Sequence, residues 1–228
     1  MSQTFVVAQS KTWNASLVSN LRNLTGFEVI EITNPTQITF EFLNDLNPKF
    51  VFFPHWSSLI RKDIYENFKC IIFHMTDLPF GRGGSPLQNL IERGFRETKM
   101  CAIECAEELD AGPIYLKRSL SLDGSAQEIF CRAAKVIEKM IVEIVEKEPQ
   151  PTQQVGEVVV FKRRTPNESN IGKLRSADEI YDAIRMLDAD GYPHAFIESG
   201  NFKIEFRNAK IFNGRFSADA YFTKQFSD

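Results

Sequence analysis

Four short apolar runs, three of them followed by a helical pattern, constrain this chain more than any other feature. The runs are Thr4–Ala8 (TFVVA), Phe27–Ile32 (FEVIEI), Lys49–Phe53 (KFVFF) and Cys70–Phe73 (CIIF), and the helical patterns cover Asn14–Leu24, Thr39–Leu46 and Ile60–Phe68. KFVFF and CIIF show no polar alternation, the mark of strands buried on both faces. Strands of that kind alternating with helices build a mostly parallel sheet with crossover connections, so the expected class is α/β.

Further along, Ser85 and Pro86 open a helical pattern to Arg93, with Ser85 in the capping position and Pro86 at the first helical one. Thr98–Ala106 and Pro113–Leu120 read as two strands joined through EELDAG. Ser125 and Glu128 form a capping box that starts a long helix, whose apolar positions Ile129, Ala133, Ile137, Met140, Ile141 and Ile144 trace one face. That helix stops at Glu148-Pro149-Gln150-Pro151, the best boundary in the sequence. Residues 1–150 are therefore expected to form one domain and 151–228 a small C-terminal α+β domain. The latter reads as a strand at Val158–Phe161, a capped helix from Ser176 to about Leu187, and strands at Ala195–Glu198 and Phe202–Ile211.

Composition enters mainly through what it excludes. Twenty Phe in 228 residues read as core filling. A net charge of −3, with no basic run longer than Lys162-Arg163-Arg164, predicts no nucleic-acid partner. Cys70, Cys101, Cys105 and Cys131 match no zinc framework and are expected as buried free thiols, so no metal is called for. Neither a secretory leader nor a stretch of membrane-spanning length is seen, which predicts a cytoplasmic protein with no membrane partner. The turn after the first strand, Gln9–Trp13, lacks glycines, and no phosphate-binding loop is present, so dinucleotide and nucleoside-triphosphate chemistry is set aside.

Two segments carry candidate chemistry. The first, HMTDLPFGRGGSP from His74 to Pro86, places a histidine at the carboxyl end of a buried strand, where α/β sheets put their sites. Its glycine-rich loop leads into a helix N-terminus, which favours negative charge. The bland alternative is a satisfied histidine and a plain strand–helix loop. The second, Glu107–Pro113, is a tight turn whose Asp110 would orient an imidazole if the two meet; alone, it reads equally as an acidic solvated turn.

Together these residues carry a resemblance. The pattern His74-x-Thr-x-Leu-Pro79-x-x-Arg82-Gly83-x-x-Pro86, then Gly94, then Leu109-Asp110-x-Gly112-x-Ile114, resembles the N-formyltransferase family, whose signature is Asn-x-His-x-Ser-Leu-Leu-Pro-x-x-Arg-Gly followed by Leu-Asp-x-Gly. Upstream, His55–Ile60 stands where that family has a folate-lining turn. In the tail, Ile180–Arg185 and Gly191–Phe196 resemble its small C-terminal domain. One departure stands out: the family's Asn falls on Ile72, which offers no side-chain hydrogen bond.

The resemblance implies a Rossmann-like catalytic domain, 10-formyltetrahydrofolate as formyl donor, and an amine as acceptor. His74 would stabilise the developing oxyanion and move a proton, Asp110 would orient it and accept the amine proton, and Thr76, His55 or a backbone N–H would stand in for the missing Asn. Trp56, Ser57, Ser58 and Leu59 would line folate on one side and Glu107, Glu108 and Leu109 on the other. Arg82 and Gly83 would meet the acceptor, although Arg82 reads equally as a surface ion pair. Residues 155–228 hold eleven Lys+Arg and eleven Asp+Glu, and the connection after Ile32 is short. Both features set this chain apart from tRNA-directed relatives. The expected acceptor is an amino-sugar nucleotide, as in bacterial surface-sugar routes of the pseudaminic acid type, with the tail shaping substrate access or a homodimer contact. A catalytically silent folate or sugar-nucleotide binding module and a formyl-folate hydrolase remain open alternatives.

Overall fold

A computed structural model describes residues 3–213 and 215–225. Its main sheet has six strands in the order β2-β1-β3-β4-β6-β7. These are β1 (Thr4–Ala8), β2 (Glu28–Ile32), β3 (Val51–Phe53), β4 (Cys70–His74), β6 (Glu97–Glu104) and β7 (Ile114–Ser121), with β5 (Phe80–Gly83) lying outside the sheet. β1 runs parallel to β2 and β3, and β3 parallel to β4, whereas β6 runs antiparallel to β4. This is the expected α/β, Rossmann-like arrangement.

The unalternated runs are buried as their composition requires: Val51, Phe52 and Phe53 are all buried, as are Phe5, Val6, Val7 and Ala8. Phe52 sits edge-on to Phe5 at 5.5 Å between ring centroids and also meets Phe50 and Phe73. Phenylalanine thus fills the sheet core, and truncating a buried ring of this kind to alanine typically costs about 3–5 kcal/mol. Core filling does not hold throughout, because Phe212 and Phe222 are 75% and 67% exposed.

The crossover helices fall where the sequence places them, but the first begins only at Leu17 and the third is four residues long against the expected Ile60–Phe68. α1 (Leu17–Thr25) ends on Gly26 in the left-handed conformation, and α2 (Phe40–Leu46) is capped by the Thr39 hydroxyl. α3 spans Lys62–Tyr65 and α4 Pro86–Glu92. α5 (Ala126–Lys147) starts on the expected Ser125–Glu128 box and buries all six residues of its apolar face. Ser85 departs from expectation. It takes φ 50° and makes no side-chain cap on α4; its hydroxyl instead accepts the Arg164 N–H at 3.1 Å.

Two compact units are present. The first comprises Met1–Gly83, Thr98–Leu120 and Cys131–Val160, and the second Gly84–Glu97, Ser121–Phe130 and Phe161–Asp228. The units interleave along the chain, so the sequence division at residue 150 is not how contacts divide it: residues 151–160 pack with the first unit. In the second unit, α6 (Ala177–Arg185) carries its capping box, and a three-stranded sheet has the order β11-β10-β9. β8 spans Val159–Phe161, β9 Ala195–Ser199, β10 Phe202–Phe212 and β11 Arg215–Lys224. Arg185, only 2% exposed, donates to the Asp182 carboxylate and to the Leu122 and Gly124 carbonyls, which offsets the cost of burying its charge.

Candidate active site

The first unit alone builds the site. β4 delivers His74 to the carboxyl end of the sheet, and the following loop curls back so that the Gly81 carbonyl accepts the His74 Nε2–H at 2.8 Å. Thr76, completely buried, donates its hydroxyl to the same carbonyl at 3.2 Å. Its own carbonyl receives the Cys101 thiol at 3.0 Å. Thr76 therefore braces the loop that holds the imidazole.

Asp110 comes from the turn between β6 and β7. Its Oδ2 lies 3.4 Å from His74 Nδ1 and accepts the Gly83 N–H at 2.9 Å. The two side chains are 8% and 9% exposed. His74 and Asp110, far apart in the sequence, therefore meet in the fold. Both imidazole nitrogens face oxygen acceptors, Gly81 O at Nε2 and the carboxylate at Nδ1. At 3.4 Å the second contact is longer than a good charge-assisted hydrogen bond. A proton delivered to this gap meets a lone pair on one side and a carboxylate on the other.

Asp110 adopts φ 55°, a left-handed conformation that a non-glycine residue holds only when its surroundings enforce it. Gln154 binds the same corner. Its Nε2 donates to the Asp110 carbonyl at 2.7 Å and to the Gly112 carbonyl at 2.9 Å. Its Oε1 accepts from Arg82 Nε and Nη2 at 3.1 and 3.0 Å. Arg82 Nη1 pairs with Glu108, whose side chain is 77% exposed, so that ion pair contributes little on its own. Arg82 is committed to this wall, and an acceptor could engage it only by displacing Glu108. Gln154 was invisible in the sequence, because it lies just past the Glu148–Pro151 boundary and no local pattern marks it.

The residues expected to line folate fall into two groups. Trp56 is half-buried and packs edge-on to Phe53 at 5.8 Å, part core and part wall. Ser57, Ser58 and Leu59 are exposed, as are Glu107, Glu108 and Leu109. The Glu107 carboxylate, and after it that of Glu66, holds the Lys62 ammonium above its usual range. Leu59 is 93% exposed and Leu109 68%, two large apolar groups left uncovered.

His55 follows β3 with φ 52° and stacks edge-on against Trp13 at 5.8 Å. Burial, reinforced by Lys11, lowers its pKa to about 4, so it is a neutral imidazole near pH 7. Ile72 lies in register between Phe53 and Ile103 and packs into the surrounding apolar clusters. Burial raises the Cys101 and Cys105 thiols to about 11 and raises Cys70 further, so these cysteines are not nucleophiles at neutral pH. Cys70 and Cys101 are buried as expected, while Cys105 and Cys131 are only partly covered. Among the described residues, no group of three or more His, Cys, Asp or Glu could hold a metal ion, and no helix is long and apolar enough to cross a membrane.

Comparison with known proteins gives four findings. A family model described as the methionyl-tRNA formyltransferase C-terminal domain matches residues 166–223. The solved structure of a methionyl-tRNA formyltransferase from Clostridium thermocellum is 46% identical, with a TM-score of 0.94 over 97% of this chain and 99% of that one. A sugar N-formyltransferase from Shewanella shares the fold at a TM-score of 0.68 and 14% identity, covering 91% of this chain and 97% of that one. Among curated sequences, the methionyl-tRNA formyltransferase of Sulfurihydrogenibium is 27% identical over 83% of this chain, which spans 63% of that relative's length.

Proposed function

Because this chain belongs to the formyltransferase family, we propose that it transfers a formyl group from 10-formyltetrahydrofolate to a primary amine at the His74–Asp110 site. The observation that carries the reading is the pairing itself. A buried imidazole faces a buried carboxylate, with the carboxylate fixed by the Gly83 N–H and the imidazole by the Gly81 carbonyl.

The donor's formyl carbon is bound to N10; the amine adds to that carbon, the C–N10 bond breaks, and N10 takes up a proton to leave as tetrahydrofolate. The uncovered Leu59 and Leu109 suit a flat, partly apolar ring, with Trp56–Leu59 and Glu107–Leu109 as the segments that would hold it. His74 is placed to hold or pass a proton at Nδ1, and Asp110 Oδ2 to receive the proton that the attacking amine loses. Backbone and neutral side-chain donors near the β4 end take the role that the family assigns to Asn. A neutral His55 is one of these.

The names of the more similar relatives support methionyl-tRNA as the acceptor. They go against the sequence-based expectation of no nucleic-acid partner, which rested on net charge. A whole-chain sum says nothing about local patches, so that expectation is not carried forward. One observation favours a second reading, the amine of an amino-sugar nucleotide. The connection from β2 to α2, residues 33–39, is only seven residues long and contains no Lys or Arg with which to grip a polyanion. The test is tetrahydrofolate release from 10-formyltetrahydrofolate with methionyl-tRNA, with a panel of amino-sugar nucleotides, and with neither. Turnover only with an amine acceptor supports the transferase and identifies its acceptor. Turnover without any amine makes the protein a hydrolase, and tight donor binding with no turnover makes it a silent module.

A further inference from the structure

We infer that Gln154 is a positioning residue that sets the geometry of the His74–Asp110 pair, so that the segment after α5 is part of the catalytic apparatus. The inference rests on the reading of that pair as the reactive site.

Three observations converge. Asp110 is held at φ 55°, and the carbonyl of that same residue is the shortest contact Gln154 makes, at 2.7 Å. A second amide hydrogen reaches the Gly112 carbonyl at 2.9 Å, so one side chain spans both ends of the Asp110–Gly112 corner. The other end of the amide is anchored by two nitrogens of Arg82, a residue next to Gly83, whose N–H holds the Asp110 carboxylate. Gln154 therefore ties the loop that carries the histidine's partners to the turn that carries the carboxylate. No other residue type of similar size both donates twice and accepts twice in one plane. Glutamate would keep Arg82 but turn an oxygen toward the Asp110 and Gly112 carbonyls. Methionine would fill the space and lose all four bonds.

The test compares Gln154→Met and Gln154→Glu with the parent chain, using kinetics and amide exchange. Acting through Asp110, both variants lower kcat at least 10-fold while KM for the formyl donor stays within about 2-fold. In an Asp110→Asn background, Gln154→Met has no further effect on kcat, whereas an independent structural defect would multiply the loss. Exchange of the Gly83 N–H, which depends on the Asp110 carboxylate, speeds at least 10-fold in both variants, while core amides of β3 stay within 2-fold. Unchanged Gly83 exchange, a kcat within 2-fold of the parent, or a multiplicative loss in the double variant would each overturn the inference. If the parent chain turns over no formyl donor, the functional reading fails, and the exchange arm alone decides whether Gln154 sets the position of Asp110.

Discussion

Gly112→Ala is a single-methyl perturbation whose outcome follows from one distance. A Cβ built on Gly112 would stand 1.8 Å from the Glu104 carbonyl oxygen and 2.8 Å from its carbon, both backbone atoms at the end of β6. Non-bonded carbon and oxygen settle nearer 3.5 Å, so turn and strand must separate by about 1.5 Å. That movement is opposed by the Glu104 N–H to Pro113 carbonyl bond at 2.9 Å and by the Gln154 bond to the Gly112 carbonyl. Overpacking of this kind costs about 1–3 kcal/mol, and two disrupted hydrogen bonds add about 1 kcal/mol each. The expected loss is about 3–5 kcal/mol, a fall in Tm of roughly 6–20 °C for a chain of this size. Because the same turn carries Asp110, kcat falls even in the folded fraction. Thermal unfolding together with formyl transfer on folded protein checks both parts. A Gly112→Ala variant within about 0.5 kcal/mol of the parent, the scatter of neutral surface changes, and with full kcat would refute the reasoning.

Two further outcomes are expected. His55, lowered from 6.5 to about 4 by burial and Lys11, takes up a proton in the unfolded chain before it does so in the native one. Its contribution is intact above pH 6.5 and lost as pH falls toward 4, by about 2–3 kcal/mol; urea unfolding at pH 7 and 4.5 should show that slope reduced in His55→Asn, and an unchanged slope would contradict it. Ile72→Asn restores the family's residue type but sets an amide between Phe53 and Ile103, so a stability loss of about 1–3 kcal/mol without a rise in kcat is expected; a large gain in kcat would show that the parent is a weakened enzyme.

Much of this was legible in the sequence, and the misses have physical causes. β3 and β4 announced themselves because strands buried on both faces must be apolar throughout, β2 through its alternation at the sheet edge, and α5 through its capping box and stripe. β11 carried no signal, since nearly all of it is exposed and RFSADAYFTK needs no apolar face. β5 was hidden in a glycine-rich loop, and Ser85 looked like a cap because residue type does not reveal a φ of 50°. His74 and Asp110 were legible through motif spacing; their separation of 3.4 Å was not, because thirty-five residues of chain intervene. Gln154 was lost for the opposite reason: one polar residue in a linker has no pattern to betray it. The acceptor stayed obscure because net charge averages over surfaces that a substrate would meet one patch at a time.

The central claim is that His74 and Asp110 act together on a formyl group passing to an amine. Its most direct measurement is the initial rate of tetrahydrofolate release, with the acceptor that supports turnover, for the parent chain, His74→Ala and Asp110→Asn, all confirmed as folded. The account predicts a loss of at least ~10²-fold in kcat for His74→Ala, as for removal of one oxyanion-stabilising donor elsewhere. Asp110→Asn should lose a comparable factor, since it keeps the shape of the side chain and removes the proton acceptor. Parent-like rates in either variant would contradict the account, because the only buried imidazole–carboxylate pair of the site would then be idle.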